Sequence, residues 1–331
     1  MLIKPPYLLY LGNAQDLLSI KIAKGIKDWR PELCAGELAL SDCKVSTGIG
    51  RITLAQAKQR GVKTMVVGLA NSGGKIDSAW LPDLIQALEM GFDLASGLHQ
   101  KLTDFSELTQ AAQRNTCRLI DVRHADYPLI TGSGRKRSGK RLLTVGTDCS
   151  IGKMYTALRI EKALKEKQRA CHFIATGQSG IFISGKGIAI DCVLSDFISG
   201  VVESLSPDND PDHWDIIEGQ GSLFHPAFAG VSLGLLHGAQ ADALVLCHQL
   251  GRKSMRGLDH FALPDLDKTL RANLGAAHLT NPKARFVGLA LNTSDMDKTQ
   301  AKQACEVLEK KYQLVCVDPM RDGVDRIIQQ L

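Results

Sequence analysis

Several things are missing from this chain, and each absence narrows what it can be. Nine cysteines (34, 43, 117, 149, 171, 192, 247, 305 and 316) form no C-x-x-C pair and are odd in number. A secreted chain of this size usually carries a paired framework, so a reducing cytoplasm is expected. No stretch approaches the ~18 uninterrupted apolar residues of a membrane helix. The opening Met-Leu-Ile-Lys-Pro-Pro has no basic leader, apolar core or small-residue cleavage site. Neither export nor a membrane partner is expected.

Charge of one sign is also scarce. A formal net charge of +5 suits an anionic small-molecule ligand and is too small to argue for nucleic acid. The one basic run holds Arg135, Lys136, Arg137, Lys140 and Arg141 with no aromatic residue interleaved. Single-strand binders need such residues for stacking, so the run reads as a solvated linker. No G-x-G-x-x-G follows a strand, and the turn from Gly68 to Gly74 has the wrong spacing for a dinucleotide. No His/Cys/Asp/Glu group shows metal-ligand spacing along the chain, so no metal is expected. There is no tandem repeat.

What is present is an alternation of short apolar runs with amphipathic stretches, the pattern of an α/β protein with a mostly parallel sheet. At 331 residues the chain suits two domains, on a prior of roughly 150 residues each. Strands are predicted over 7–11, 64–68, 92–95 and 118–122, with helices near 14–28, 81–90 and 105–114. Further strands are predicted over 142–145, 171–175, 214–217, 243–247, 286–291 and 314–317. Between the two sets, residues 131–140 combine glycine, serine and charge without an apolar period. The division falls there: a Rossmann-like domain over 1–132 and a P-loop NTPase-like domain over 133–331.

The most informative segment reads Gly146, Thr147, Asp148, Cys149, Ser150, Ile151, Gly152, Lys153, Met154. An apolar strand ends at Gly146, and a helix opens at Lys153, its face marked by Ala157, Ile160 and Leu164. A loop in this position turns successive backbone N–H groups inward, and the helix N-terminus adds about half a positive charge. Two glycines allow close wrapping of a phosphate, and Lys153 supplies a cation. Cys149 serves as a spacer whose N–H matters. Met154 stands where a Ser or Thr would normally place its hydroxyl on Mg²⁺. A thioether is a poor ligand for a hard cation. The loop is therefore expected to hold a diphosphate without cleaving it, which suits coenzyme A better than ATP hydrolysis.

Five residues separate the glycines, and this longer form resembles the loop of dethiobiotin synthetases and their P-loop relatives. Three further motifs are Ala175-Thr-Gly-Gln-Ser-Gly180, Ile188-Ala-Ile-Asp191 and Ile217-Glu-Gly-Gln-Gly-Ser-Leu-Phe-His-Pro226. With the loop and the Rossmann-like first half they resemble, over essentially the whole chain, a bacterial and archaeal family long described as a domain of unknown function. Some of its members are D-glutamate N-acetyltransferases of the DgcN type. The resemblance implies acetyl-CoA as co-substrate and a small acidic D-amino acid, D-glutamate above all, as acceptor.

Acetyl transfer to an amine needs a base for the ammonium proton, donors for the oxyanion, and cations for the acceptor's carboxylates. Glu218, just beyond the strand 214–217, is the first candidate, as base or as holder of the ammonium; a structural cap is its alternative. Asp191, which also ends an apolar run, and His225, able to titrate near neutrality, complete the catalytic candidates. An N-cap and a turn residue are their plainer readings. Gln178 and Ser179 suit acceptor binding or an oxyanion donor. Arg252 and Arg256 suit bidentate recognition of carboxylate or phosphate. Asn292, closing the strand 286–291, lies where P-loop relatives read a purine base. Cys247 and His248 are sequence neighbours that a strand would point to opposite sides, so they form no nucleophile pair.

Two other readings stay open: an ATP/Mg-dependent carboxylate-activating or ligating enzyme resembling dethiobiotin synthetase, and a nucleotide-sensing regulatory or assembly protein. Small-molecule substrates and a symmetric homo-oligomer are expected.

Overall fold

The computed structural model describes residues 3–124 and 126–331; Met1 and Leu2, which open the N-terminal segment read above, and Ala125 lie outside it. By its packing the chain divides into two compact units: Met1–Asp126 with Gly177–Cys192, and Tyr127–Thr176 with Val193–Leu331.

The first unit is a five-stranded parallel sheet. Its strands are β1 (Tyr7–Tyr10), β2 (Cys34–Leu38), β3 (Thr64–Val67), β4 (Asp93–Ser96) and β5 (Leu119–Asp121), in the order β2-β1-β3-β4-β5. Both β1 and β3 are buried at every position, as strands covered on both faces must be. The helices are α1 (Lys21–Trp29), α2 (Leu54–Gln59), α3 (Leu81–Glu89) and α4 (Ser106–Arg114). Amphipathic spacing explains the packing of α3 and α4: Leu84, Ala87 and Leu88 of one, and Leu108, Ala111 and Ala112 of the other, are buried. Each fully buried leucine contributes about 1.5–3 kcal/mol.

The second unit holds β6 (Lys140–Gly146), α5 (Lys153–Glu166) and β7 (Cys171–Ile174), and resumes after the helix α6 (Gln178–Ser184) with α7 (Ile198–Leu205). It continues through β8 (Trp214–Ile217), α8 (Ala229–Ala239), β9 (Ala243–Gln249) and the hairpin β10 (Ser254–Met255) and β11 (Leu258–Ala262). The chain ends with α9 (Leu266–His278), β12 (Arg285–Asn292), α10 (Lys298–Tyr312), β13 (Cys316–Val317) and α11 (Asp325–Ile328). Six of the strands form one parallel sheet in the order β13-β12-β9-β6-β8-β7. The α5 residues Ala157, Ile160 and Leu164 are buried, as their spacing predicts. Among the described residues no helix is long and apolar enough to cross a membrane.

The α/β reading holds, and four of the five strands of the first unit fall where the apolar runs put them. The fifth, β2, reads Cys-Ala-Gly-Glu-Leu; without a β-branched residue and at the sheet edge, it carries little strand signal. The helix predicted from residue 14 starts only at Lys21 because Asp16 closes a turn, accepting from Ser19 N at 2.8 Å and Ser19 Oγ at 2.9 Å.

The division read at 132/133 took no account of Gly177–Cys192, which packs with the first unit. There Arg30 Nη1 donates to Ile183 O at 3.2 Å. A segment that leaves one unit and returns shows no change in composition, so linear reading cannot mark it.

Candidate functional site

The phosphate loop joins β6 to α5 in the second unit. Gly146 closes the strand and leaves room for Ile151, whose Cδ1 would lie 2.5 Å from a Cβ there; Ile151 is the loop's buried anchor. Gly152 takes φ +112°, open to glycine and strained for other residues, and from there α5 begins. Lys153 is almost wholly buried, and its Nζ donates to Asp148 O at 2.6 Å. Burial pushes the Lys153 ammonium down from its ordinary pKa, while the charges of Cys149, Cys247, Asp148 and Glu218 pull it back up. Met154 is half-buried on the first turn.

Arg252 and Arg256 converge on this loop. Arg252 Nη1 donates to Asp148 Oδ2 at 2.7 Å and to Cys149 O at 2.8 Å, and Nη2 donates to Gln249 Oε1 at 2.5 Å and to Ser150 O at 3.4 Å. The Arg256 backbone N–H donates to Asp148 Oδ2 at 2.8 Å, and its guanidinium bonds Ser150 Oγ. Asp148 also accepts from Cys149 N at 2.6 Å, so this fully buried carboxylate is satisfied by the loop, the β9–β10 connection and the β10–β11 turn. Arg252 thus holds the loop's shape, a role that the reading of it as a binder of a ligand's carboxylate or phosphate did not include. Thr147 Oγ1 lies 3.0 Å from His248 Nδ1, and Thr147 O accepts from Ser222 Oγ at 3.1 Å. Burial, with Arg252 adding to it, pushes His248 down to about 4. Burial likewise raises the Cys247 thiol to about 11, so this Cys/His pair has neither a ready thiolate nor a charged imidazole.

Glu218 follows β8 and is buried. Its Oε2 accepts from Thr176 N at 3.1 Å, and its carbonyl from Thr176 Oγ1 at 2.5 Å. The next residue must be glycine, since a Cβ at Gly219 would fall 1.6 Å from Thr144 O. Glu218 is one of the charges acting on Lys153, which puts this carboxylate and the loop cation in one electrostatic setting beyond the strand ends, where α/β sheets bind ligands.

His225 is placed otherwise than a general base requires. Its Nδ1 accepts from Ala227 N at 3.2 Å, which leaves the proton on Nε2, 3.4 Å from Arg256 O. The ring packs against Phe228, with centroids 4.4 Å apart and planes inclined by 31°. Its lone pair is already occupied, and the ring braces the turn. Asn292 Oδ1 accepts from Ser294 N at 3.0 Å, closing the turn after β12.

Gln178, Ser179 and Asp191, read from sequence alongside the loop, belong instead to the first unit. Two of them assemble around a residue that reading missed, Arg123. This arginine follows β5 and is only 8% exposed. Its Nε donates to Gly97 O at 2.9 Å, and Nη1 pairs with Asp191 Oδ2. With the Gln178 amide oriented to suit both neighbours, Nε2 donates to Gly97 O at 2.6 Å and Oε1 accepts from Arg123 Nη2 at 2.7 Å. Gly97 follows β4, so this group too lies beyond strand C-termini. Ser179 is half-buried in the first turn of α6. The sequence signal was there: Arg123 stands directly after an apolar run predicted to end at residue 122.

Comparison with known proteins gives the same two-part organisation. Residues 128–328 match a family model described as a domain of unknown function, the DUF1611 P-loop domain. Residues 34–125 match its N-terminal Rossmann-like counterpart. A relative from Pseudoalteromonas sp is 56% identical over 331 residues, covering 100% of both chains, and is named D-glutamate N-acetyltransferase. A relative from Tritonibacter scottomollicae bears the same name at 46% identity over 330 residues, 100% of this chain and 99% of its own. The crystal structure of a DUF1611 family protein from Anabaena variabilis is 30% identical, covers 99% of each chain and superposes with a TM-score of 0.87. The resemblance read from the motifs holds, and the chain belongs to the DUF1611 family.

Proposed function

We propose that this protein is an N-acetyltransferase that moves the acetyl group of acetyl-CoA to the amine of D-glutamate. The observation that carries the reading is the full-length identity of 56% to a protein named for that activity. Acetyl-CoA as donor rests on the loop. Lys153, Arg252 and Arg256 gather positive charge at the N-terminus of α5, which suits a pyrophosphate. Met154 offers no hydroxyl for Mg²⁺, and Asp148 is committed to Arg252 and the Arg256 amide. An ATP/Mg-dependent ligase would need another oxygen ligand at this place.

In the transfer, the acceptor ammonium gives up a proton and its nitrogen attacks the thioester carbonyl. The C–N bond forms, the nitrogen gives up a second proton as the tetrahedral oxyanion collapses, and the C–S bond breaks, that second proton neutralising the leaving coenzyme A thiolate. Glu218 is the base this reading favours over His225, whose lone pair is occupied. Arg123, bonded to Gln178 and Asp191, with Ser179 next to Gln178 in α6, is the proposed binder of the acceptor's carboxylates. A symmetric homo-oligomer is the proposed assembly.

Calorimetric titration with acetyl-CoA, and separately with ATP plus Mg²⁺, tests the loop, and acetyl transfer to D- against L-glutamate tests the acceptor. Tight acetyl-CoA binding that Lys153→Ala weakens at least about tenfold is expected from loss of a buried charge-assisted contact. Preference for Mg-ATP would move the ligase reading into first place.

A further inference from the structure

The sheet of the second unit has a second group of side chains at the edge opposite the phosphate loop. His172 is the second residue of β7, and Asp215 is the second of β8. The two are paired in register across the parallel strands, so their side chains share one face. His213 lies two residues before Asp215, and its carbonyl accepts from Lys140 N at 2.8 Å. That continues the extended backbone and puts His213 on the same face. One ligand atom from each of the three side chains lies within 4.8 Å of the others.

The arrangement within this group points to a ligand. His213 is only 6% exposed, yet its Nε2 makes no hydrogen bond although Asp215 Oδ1 is 3.2 Å away. A well-formed histidine–carboxylate pair would aim the N–H at the oxygen. Two atoms that share a tetrahedral zinc, each about 2.1 Å from it, are instead separated by about 3.4 Å. The His172 and His213 rings sit with centroids 4.7 Å apart and planes inclined by 47°, so they are not stacked flat. The other carboxylate oxygen, Asp215 Oδ2, accepts from Ser206 Oγ at 2.5 Å, and Ser206 Oγ accepts from Arg141 Nε at 2.9 Å. Outer bonds of this kind fix the orientation of a metal-binding carboxylate. His172 is exposed and gives the ion a way in from solvent.

We propose that His172, His213 and Asp215 bind a divalent transition ion of the zinc class, with water at the fourth position. Two imidazoles and one carboxylate are a donor set that zinc prefers over magnesium or calcium. The ion would tie the edge strand β7 to β8 at the ends where these strands begin. The proposed catalytic groups lie beyond the other ends, so the ion would take no part in acetyl transfer and would act on the stability of this strand pair. The other metal-capable group among the described residues, Asp148 with Cys149 and His225, belongs to the phosphate loop and has its carboxylate on Arg252.

The test is equilibrium dialysis of the full chain against zinc, with metal counted per chain, together with cobalt(II) as a spectroscopic probe. One zinc per chain is expected, with the visible absorption of four-coordinate cobalt. His172→Ala, which alters only the exposed side of the group, and Asp215→Asn should each abolish this equivalent. Lys153→Ala should retain it and so separate this site from the proposed coenzyme site. Saturating zinc should raise the unfolding midpoint of the wild type by about 5 °C and leave His172→Ala unmoved. Equal zinc in wild type and His172→Ala, or none in the wild type, would overturn the proposal, leaving His213 and Asp215 as a close contact only.

Discussion

The guanidinium of Arg252 reaches the buried carboxylate of Asp148 at 2.7 Å and also bonds the carbonyls of Cys149 and Ser150. Three successive residues of the phosphate loop are therefore held from outside by one side chain. Backbone carbonyls satisfied on one side leave the loop's amides set for an anion on the other. A loop shaped before its ligand arrives loses less conformational freedom on binding.

Arg252→Ala removes that hold and leaves Asp148 buried with only backbone partners. Breaking a buried pair in this way should destabilise the second unit by roughly 3 kcal/mol. It should also weaken acetyl-CoA binding about tenfold or more as the loop loses its shape. Denaturant unfolding and calorimetry read the two effects. Arg252→Lys keeps the charge without the planar fork, so it should recover only part of each.

A second consequence concerns acid stability. His248 is held down to about 4 by burial and by Arg252, against about 6.5 for an unburied imidazole. Between these values the unfolded chain binds a proton that the folded chain refuses. The stabilising effect of this neutral ring is complete above about pH 6.5 and is lost as pH falls towards 4. The loss should amount to at most about 3 kcal/mol, less for the residual solvent screening. Unfolding free energies at pH 7 and 4.5 should differ less in His248→Gln than in the wild type.

How legible was all this beforehand? Strand–turn–helix at Gly146 to Lys153 could be read because its signals are local: an apolar run, two glycines and a period-3.6 face. Glu218 was visible for the same reason, standing directly beyond a strand. Arg123 was not singled out, since a single arginine after a strand is common and its partners Gln178 and Asp191 lie 55 and 68 residues away in sequence. The group at His172, His213 and Asp215 escaped likewise. Its members come together only through the register of β7 on β8, which composition does not determine. Arg252 was picked out, but as a ligand-binding residue, because the buried carboxylate that claims it was assigned to the phosphate.

Glu218 and Arg123 separate by kinetics. Glu218→Gln keeps an acceptor for the Thr176 N–H but has no basicity. It should lower kcat about 100-fold or more, with acetyl-CoA affinity nearly unchanged. Arg123→Lys, in the first unit, should raise the acceptor KM about tenfold and leave coenzyme binding alone. If Arg123→Lys weakened coenzyme binding and left the acceptor KM unchanged, its assignment to the acceptor would fail.

Met154→Thr asks whether the missing hydroxyl is what turns this loop away from nucleotide hydrolysis. The side chain sits half-buried on the first turn of α5, beside the buried Lys153. Threonine is shorter and fits without crowding; its main structural cost is β-branching, roughly 0.5 kcal/mol in a helix. Its hydroxyl would restore the hard-oxygen ligand that Mg²⁺ prefers. Titration with ATP plus Mg²⁺ should therefore show tighter binding in the variant than in the wild type, and omitting Mg²⁺ should abolish the gain. Acetyl-CoA binding should be unaffected, since a pyrophosphate held by Lys153 and backbone amides does not require the ion. A wild type that already binds Mg-ATP as tightly as Met154→Thr would mean that another oxygen fills the place. The argument from Met154 to a non-hydrolysing loop would then fail.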